Sequence, residues 1–260
     1  SRGDWSSDVC SSDLKRISNG DLLVGTFIKT PNYQIVELLS SCNIPFIALD
    51  AEHAPFTKTD LDTCLLAAKP ITPVVVRVPS LAEHDALSVL DMGANGIIFP
   101  HINNQEDATR AVNISKYKSV EFKSGRRGFS NSSRSGQYGD VNIDQMISSS
   151  NNSVSVICQI EEGKAVENIN EIVNVNGIDC LFIGRADLAV TLGCDDINDK
   201  KVNDAIDEVI VAAKKAGISL GIYLPDARSL NQWTEKGFSF FIVGSDQSHL
   251  KYSISQIINI

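Results

Sequence analysis

The feature that most constrains the fold is a regular alternation of short apolar runs and helical-period stretches, which begins at Leu22. Each run is rich in Val, Ile and Phe, and each is followed by a stretch with the hydrophobic spacing of an amphipathic helix. Strands that are apolar on both faces are typical of parallel sheets covered by helices. The predicted strands lie at 22–29, 45–52, 72–79, 96–102, 154–161, 177–184, 219–225 and 238–246.

Eight βα units of this size predict an α/β protein folded as a closed (β/α)8 TIM barrel. A doubly wound open sheet is the alternative, because eight such units can also form an open row. No GxGxxG or GxxxxGK[ST] stretch follows a predicted strand, so the sequence lacks the signatures of nucleotide-binding folds. The predicted helices lie at about 32–42, 60–69, 82–92, 105–115, 164–174, 200–216, 226–236 and 247–258.

Two stretches fall outside this repeat. Residues 3–14, GDWSSDVCSSDL, are polar and aperiodic and resemble the conceptual translation of a common sequencing adapter. We therefore expect residues 1–14 to be a non-native scar and residues 15–260 to form a single barrel domain. Residues 117–153 are polar and rich in Ser, Asn and Gly. We expect a loop on the active-site side there, with SGRRGF as a candidate lid and SSSNNS as a linker.

Composition narrows the partners and the compartment. The net charge of −9 argues against nucleic acid or an anionic membrane as a partner. The longest apolar runs are only strand-sized, which predicts no transmembrane helix. The six cysteines form no CxxC pair and show no metal-ligand spacing, which favours reduced thiols and a cytoplasmic location.

Ionisable and amide side chains interrupt the predicted strands near their carboxyl-terminal ends. In a barrel these ends converge on one mouth, where barrel enzymes place their active sites. The N-terminal ends of the same strands carry no comparable cluster. Side chains that were merely solvated would have no reason to gather at one end of the strands. The side chains concerned are Asp50, Glu52, His53, Arg77, Gln159, Glu161 and Asp187.

Several interpretations of these residues remain open at this point. Asp50, Glu52 and His53 could be metal ligands, an acid–base pair or part of a solvated turn. Glu161 and Asp187 each precede a helical pattern and could be first-turn acids of helices. Taken together, the set suits a hard divalent cation such as Mg²⁺ or Mn²⁺. The remaining histidines are interpreted as structural, with His101 the least secure: His84, His101 and His249.

The chemistry that this set favours is metal-assisted handling of an enolate. A cation held by two carboxylates keeps open positions for a 2-oxo acid. Arg77 would stabilise the negative charge that develops on the enolate oxygen, and a histidine held by a carboxylate would move the proton. A Schiff-base mechanism is disfavoured because Lys29, in the first strand, is the clearest lysine near a strand end.

The chain resembles the HpcH/HpaI family of class II, metal-dependent pyruvate aldolases, which includes 2,4-dihydroxyhept-2-ene-1,7-dioate and 2-dehydro-3-deoxyglucarate aldolases. The matching motifs appear in order between residues 19 and 246. They are GTFIKTPNYQIVELL, ALDAEHAPF, VVVRVP, LDMGANGIIFPHINNQEDA, GRRG, CQIEEGKAVENINEI, DCLFIGRADLAVTLG and GFSFFIVGSD.

The resemblance implies a barrel of the phosphoenolpyruvate/pyruvate type that cleaves a 4-hydroxy-2-oxo acid to pyruvate and an aldehyde. It implies that Glu161 and Asp187 bind the divalent metal, Mg²⁺ or Mn²⁺, with Co²⁺ as a further option. Arg77 would contact the 2-oxo group of the substrate and stabilise the pyruvate enolate. His53, oriented by Asp50, would be the acid/base group that takes the proton of the 4-hydroxyl.

Supporting roles follow from the same resemblance. Glu52 would order a water network, and Gln159 would bind substrate beside the arginine. Asp91 would reach the site of a neighbouring subunit, which implies a homo-oligomer, often a hexamer. Arg127 matches the arginine of the family's glycine-rich motif. Backbone amides at a helix start would hold the pyruvate carboxylate, and they belong to Gly184, Arg185 and Ala186.

This sequence departs from the family pattern at two places. Arg185 stands where the family has proline in its G-P-x-D-L motif, and it could crowd the carboxylate pocket or add an anion-binding group. The stretch YKSVEFKSGRRG lacks both prolines of the family's Y-P-P-x-G-x-R-G.

Two alternatives to an aldolase remain open. The first is a related carbon–carbon lyase that acts on an acyl-CoA or a phosphoenolpyruvate-type substrate, for which Arg126, Arg127 and Arg134 would supply positive charge. The second is a non-catalytic barrel that binds an oxo acid.

Overall fold

The computed structural model describes residues 14–68 and 72–258, and its strands form a closed barrel. Eight parallel strands pair in chain order, and β1 pairs with β8 to close the ring. The predicted (β/α)8 barrel is therefore confirmed. The strands are β1 (Leu23–Ile28), β2 (Phe46–Asp50), β3 (Val74–Arg77), β4 (Gly96–Phe99), β5 (Ser155–Ile160), β6 (Cys180–Ile183), β7 (Ser219–Leu224) and β8 (Phe240–Ser245).

Helices connect the strands and cover the outside of the barrel. They are α1 (Lys15–Ser18), α2 (Tyr33–Ser41), α3 (Lys58–Ala68), α4 (Glu83–Asp91), α5 (Gln105–Ser115), α6 (Ile143–Ser153), α7 (Gly163–Glu167), α8 (Ile169–Ile172), α9 (Arg185–Thr191), α10 (Lys200–Ala216), α11 (Leu230–Lys236) and α12 (Asp246–Ile258). Short 3-10 helices span Arg134–Gly139 and Ala227–Ser229. The helix predicted at 164–174 is divided into α7 and α8.

Two hydrophobic layers follow from the alternation of side chains along each strand. One set points inward and fills the barrel, where the rings of Phe46 and Phe240 stack with their centroids 4.4 Å apart. Gly25 gives this stack its room, because a Cβ there would lie 2.6 Å from the Phe46 ring. The other set points outward and packs against the helices. The strands are thus buried on both faces, as the apolar runs predict.

The N-terminal end of the barrel is covered by Leu14 and α1. Leu14 and Ile17 are buried in the same cluster as the residues that fill the barrel. The hydroxyl of Ser219 donates to the carbonyl of Ile17 at 2.5 Å. Leu14 was assigned to the non-native scar, but the fold uses its side chain as core. Residues 1–13 of that scar lie outside the described residues.

The segment 117–153 contains more regular structure than its composition predicts. Its last part, which includes SSSNNS, forms α6 rather than a linker. The side chain of Asn142 caps this helix by accepting the N–H of Gln145 at 3.0 Å. A polar stretch can form a helix here because its ends are capped and because Met146 and Asn151 are buried against the rest of the protein.

The same segment lies along the outer flank of the barrel rather than across its mouth. It follows α5, not β4, so it starts at the N-terminal side of the barrel. Arg126 pairs with Glu83 of α4 at 2.9 Å, and Arg134 pairs with Asp62 of α3 at 2.8 Å. These contacts hold the segment against α3 and α4 of its own subunit, and its predicted role as an active-site-side loop with a SGRRGF lid stays a prediction.

Asn151 holds the start of this segment to α6. Its side-chain oxygen accepts the N–H of Tyr117 at 2.7 Å, and its amide nitrogen donates to the Tyr117 carbonyl at 2.9 Å. The Asn151 side chain is buried, so solvent cannot replace it as the hydrogen-bond partner of the Tyr117 N–H and carbonyl.

We expect Asn151→Ala to lower the free energy of unfolding by about 2–4 kcal/mol, because it leaves two buried backbone groups unpaired. Urea unfolding measures this change. Asn152→Ala on the exposed side of the same helix is the matched control, with an expected change within about 0.5 kcal/mol. Equal effects of the two substitutions would show that the paired amide is not what stabilises the segment.

Candidate active site

The pairing of β2 with β3 brings an acid and a base together at the mouth of the barrel. Asp50 and Arg77 are the last residues of their strands and are partners in the register of this pair. The guanidinium donates from Nε to Oδ1 at 3.0 Å and from Nη2 to Oδ2 at 2.8 Å. Asp50 is 0% exposed and Arg77 is 8% exposed. This two-point contact fixes the orientation of the arginine head.

Asp50 stays ionised although it is buried. Burial opposes ionisation, but the hydrogen bonds and charge of Arg77 outweigh it, so the pKa of Asp50 lies below its ordinary value. The backbone N–H of His53 and the ammonium of Lys29 add to this stabilisation, at 3.1 Å and 3.4 Å from the carboxylate. The ring of Phe27 lies under the guanidinium, with its centroid 4.7 Å from Cζ of Arg77. The mouth therefore contains a fixed negative charge paired to a fixed positive charge.

The predicted orientation of the His53 imidazole by Asp50 is not present in the structure. Asp50 contacts His53 through the backbone N–H, and both of its oxygens are used by the arginine. The imidazole is exposed, and its Nε2 lies 3.8 Å from Oε2 of Glu52. The carboxylate closest to this histidine is therefore Glu52, since Asp50 is committed to a stronger partner.

Glu52 lies between the arginine and a second histidine. Its Oε2 is 3.3 Å from Nε of Arg77, and its Oε1 is 3.5 Å from Nε2 of His101. Burial raises the pKa of Glu52 despite the positive charges of Arg77 and His53. This carboxylate thus links the fixed ion pair to the acidic group that follows β5.

Glu161 follows β5 and is buried, with 2% of its surface exposed. Its Oε1 accepts the N–H of His101 at 2.7 Å, and Nε2 of Gln159 donates to its Oε2. Gly184, directly after β6, forms the wall behind it. A Cβ at Gly184 would lie 2.7 Å from Cβ of Glu161, so this wall has room for the carboxylate only without a side chain.

His101 belongs to the site, although the sequence analysis interprets it as structural. It follows β4 with a backbone φ of +56°, which is uncommon for a residue other than glycine. Its Nδ1 lies 3.0 Å from Oε1 of Glu162 and 3.3 Å from Oε1 of Glu161. Burial opposes protonation, but the three neighbouring glutamates outweigh it and raise the pKa of His101. Its position directly after the fourth strand, at the same mouth, was the available signal.

These side chains include a group that could hold a metal ion. One ligand atom from each of Glu52, His101 and Glu161 lies within 4.8 Å of the others. In the described part of the chain, Oε2 of Glu52 and Oε1 of Gln159 are buried and accept no hydrogen bond. Oε2 of Glu52 still has the charge of Arg77 beside it, whereas the Gln159 oxygen has no donor. This oxygen, with the two carboxylates and the imidazole of the cluster, makes a donor set that fits a divalent metal. Asp187 is exposed in the first turn of α9 and lies outside this group of three.

The amides predicted to hold a carboxylate lie at the start of α9. The N–H of Gly184 is already used, because it donates to the carbonyl of Ile160 at 3.0 Å. The side chain of Arg185 points to α11, where Cζ lies 5.2 Å from the centroid of the Trp233 ring. Only the amides of Arg185 and Ala186 therefore remain as candidates, and the guanidinium of Arg185 stacks on Trp233.

Asp91 and Arg127 are brought together, but away from the mouth of their own subunit. Asp91 ends α4, which runs antiparallel to the strands, so it lies toward the N-terminal end of the barrel. Nη2 of Arg127 donates to its Oδ1 at 3.2 Å, and the same guanidinium lies over the ring of Tyr117. Burial raises the pKa of Asp91 even with this arginine beside it.

Two sequence relatives and one solved structure are similar to this chain over most of its length. A hydroxypyruvate/pyruvate aldolase from Paraburkholderia phytofirmans is 32% identical over 235 residues, which are 89% of this chain and 90% of that protein. A 5-keto-4-deoxy-D-glucarate aldolase from Salmonella paratyphi C is 32% identical over 223 residues, or 85% of each chain. The crystal structure of an HpcH/HpaI aldolase/citrate lyase family protein from Burkholderia cenocepacia J2315 has a TM-score of 0.90, with 31% identity and coverage of 96% of this chain and 98% of that one.

The family comparison covers the barrel from its first strand into α12. A sequence model of the HpcH/HpaI aldolase/citrate lyase family matches residues 23–252, so every strand and the mouth residues fall inside the match. The resemblance drawn from the motifs is thereby confirmed: this chain belongs to the HpcH/HpaI aldolase/citrate lyase family.

Proposed function

We propose that this protein is a divalent-metal-dependent aldolase that cleaves a 4-hydroxy-2-oxo acid to pyruvate and an aldehyde. The observation that carries the proposal is the buried Arg77–Asp50 pair beside the carboxylates of Glu52 and Glu161. A fixed cation next to a cluster of metal-binding donors is what stabilisation of a 2-oxo acid enolate requires. The aldolase names of the two relatives agree with it.

The metal would be held at Glu161, with Asp187 as the second ligand that the family resemblance implies. Mg²⁺ or Mn²⁺ is proposed, with Co²⁺ as a further option, because the donors are mainly carboxylate oxygens. Bound there, a divalent cation would act as a Lewis acid toward the 2-oxo carbonyl and favour the enolate.

Arg77 supplies a positive charge that does not need to reorganise during the reaction. Its guanidinium is held by Asp50 on one side and by the Phe27 ring below, and Glu52 lies 3.3 Å from its Nε. A preorganised donor of this kind stabilises charge in the transition state more than in the substrate. Gln159 is proposed to bind the substrate beside it, as the family resemblance implies.

His53 is proposed as the acid/base group. It takes the proton of the 4-hydroxyl, the C3–C4 bond breaks and the aldehyde leaves, while the electron pair of that bond becomes the enolate of pyruvate. Protonation at C3 then gives pyruvate. The imidazole is exposed and free to meet the substrate, and its Nε2 lies 3.8 Å from Oε2 of Glu52.

The amides of Arg185 and Ala186 are proposed to bind the pyruvate carboxylate through the backbone. Arg185 would serve through its N–H alone, because its guanidinium packs on Trp233 of α11. Arg185, which stands in place of the family proline, would then not crowd the pocket for the carboxylate.

The positions of the arginines favour an aldolase over a lyase for acyl-CoA. Arg126, Arg127 and Arg134, the residues that could attract a long anionic substrate, are paired with Glu83, Asp91 and Asp62 on the outer flank. A non-catalytic barrel that only binds an oxo acid is disfavoured, because it would not explain why Arg77, Glu161 and His53 lie at one mouth.

A homo-oligomer is proposed, and the resemblance suggests a hexamer. None of the residues of α12 is buried, although the helix carries several large apolar side chains. Such a surface favours contact with another subunit. Asp91, whose carboxylate is held by Arg127, is then proposed to reach the site of a neighbouring subunit, and Arg127 stays a candidate substrate-binding residue by its match to the family motif. The exposed apolar side chains of α12 are Leu250, Tyr252, Ile254, Ile257 and Ile258.

A cytoplasmic location is proposed for the protein. The five cysteines of the described residues are all free, as expected in a reducing compartment. In the same residues no helix is long and apolar enough to cross a membrane.

The first test is pyruvate release, coupled to lactate dehydrogenase, from a panel of 4-hydroxy-2-oxo acids. Protein lacking residues 1–13 should release pyruvate with Mg²⁺ or Mn²⁺ and lose this activity in EDTA. Glu161→Gln should abolish turnover at ordinary metal concentrations with the fold kept. Borohydride added with pyruvate should not inactivate the protein, because Lys29 is paired with Asp50. Inactivation by borohydride together with indifference to EDTA would overturn the metal mechanism.

We expect Arg77→Lys to lower kcat/KM by about 10²–10³-fold, since lysine keeps the charge but not the two-point contact with Asp50. Steady-state kinetics on the best substrate measure this effect. Arg126→Lys, on the exposed flank, is the matched control and should leave kcat/KM unchanged for an aldolase substrate. A loss with Arg126→Lys and none with Arg77→Lys would favour a different site.

We expect His53→Asn to lower kcat for cleavage by about 10²–10⁴-fold, because it removes the proton acceptor. The same coupled assay measures this loss, and His84→Asn on α4 controls for the removal of an exposed imidazole elsewhere. If His53→Asn retained wild-type turnover, the acid/base group would be another residue.

A further inference from the structure

We propose that His101 is a metal ligand through Nε2, so that the ion at this mouth is bound by an imidazole nitrogen in addition to carboxylate oxygens. This inference rests on the proposed function, because it concerns the same metal. It predicts a chain that prefers Mn²⁺ or Co²⁺ over Mg²⁺, since imidazole suits transition metals and Mg²⁺ favours oxygen.

The hydrogen bonds of His101 indicate which of its nitrogens is available. Nδ1 lies 3.0 Å from Oε1 of Glu162. This contact occupies Nδ1, whereas Nε2 makes no hydrogen bond within the described residues and faces the carboxylate of Glu52. Of the two ring nitrogens, Nε2 is therefore the one placed to reach a metal. A ligating histidine that donates its other N–H to a carboxylate is the usual arrangement around protein-bound metals, because it fixes the tautomer and the ring.

The available nitrogen faces a carboxylate oxygen at a useful distance. Nε2 of His101 is 3.5 Å from Oε1 of Glu52. Adjacent ligands about 2.1 Å from an octahedral ion lie about 3 Å apart, so only a small closure around a cation is needed. One ligand atom of Glu161 lies within 4.8 Å of those of His101 and Glu52. The three side chains come from the ends of three different strands.

The backbone conformation of His101 also supports a functional role for this residue. The φ of +56° places a residue other than glycine in the left-handed region. The conformation is stabilised because Oε1 of Glu161 accepts the N–H of His101 at 2.7 Å. Strained residues of this kind gather at active sites and ligand sites.

A second, independent observation points to a ligand at the same place. Oε1 of Gln159 is buried and accepts no hydrogen bond from the described residues. Gln159 is 1% exposed, and its amide nitrogen is bonded to Glu161. Its oxygen therefore lacks a donor, while the nitrogen of the same amide contacts Glu161 of the cluster. Such acceptors are satisfied by a cation or by water on that cation.

The test uses the full chain loaded with Mn²⁺ and a pulsed-EPR measurement of nitrogen coupling to the metal. Wild-type protein should show ¹⁴N modulation, and His101→Asn should lose it. Asparagine tolerates the left-handed backbone, so this variant keeps the local fold. His53→Asn is the matched control at the same mouth, and its ¹⁴N modulation should persist because His53 is not a ligand. Glu162→Gln should keep the modulation with weaker binding, since it removes only the partner of Nδ1.

Calorimetric titration with Co²⁺ and Mg²⁺ gives the second readout. His101→Asn should weaken Co²⁺ binding by about 10–100-fold and Mg²⁺ binding much less, because only the transition metal gains from nitrogen. Persistent ¹⁴N modulation in His101→Asn, or unchanged Co²⁺ affinity, would overturn the role of His101 and leave the proposed aldolase standing. Wild-type protein that binds neither Mn²⁺ nor Co²⁺ would instead overturn the metal-dependent function itself.

Discussion

The buried pair of Asp50 and Arg77 is the interaction on which the mouth of this barrel depends. A carboxylate with no exposed surface is stable in the folded protein only with a partner that offsets the loss of hydration. The parallel register of β2 and β3 supplies that partner directly, because it sets the two residues side by side. Removing either side chain would leave a buried charge, at a cost of about 3–5 kcal/mol. The same ion pair therefore both stabilises the ends of β2 and β3 and fixes the arginine that is proposed to act in catalysis.

From this pair the rest of the site extends through shared contacts. Arg77 approaches Glu52, Glu52 approaches His101, and His101 is bonded to Glu161 through its backbone. Each link joins groups of opposite charge or a donor to an acceptor. The chain of contacts crosses from β2 to β5, so the geometry of four strand ends is coupled.

Much of this arrangement could be predicted from the sequence because it depends on strand periodicity. Apolar runs placed the eight strands, and polar residues at their carboxyl ends, such as Arg77 and Glu161, had to meet at one mouth. Which side chains pair with each other at the mouth could not be predicted in this way. The family resemblance paired Asp50 with His53, but the neighbouring strand offers Asp50 a stronger partner in Arg77.

Other features depended on backbone conformation or on distant contacts, which a single sequence does not display. The role of His101 depends on a left-handed φ that its residue type does not suggest. The helix α6 depends on Asn142 as a cap and on burial of Asn151, so a Ser- and Asn-rich composition was misleading. Leu14 became core because α1 folds under the barrel, outside the repeating pattern.

Gly184 has a consequence for how this active site can change over time. Its missing side chain leaves the space that Glu161 occupies, with Gln159 close behind. Substitutions at the two positions are therefore not independent, because a Cβ at 184 would lie 2.7 Å from Cβ of residue 161, an atom that every residue except glycine carries. Shortening the acid at 161 does not remove this clash, so we expect descendants that replace the acid by another residue with a Cβ to keep glycine at 184.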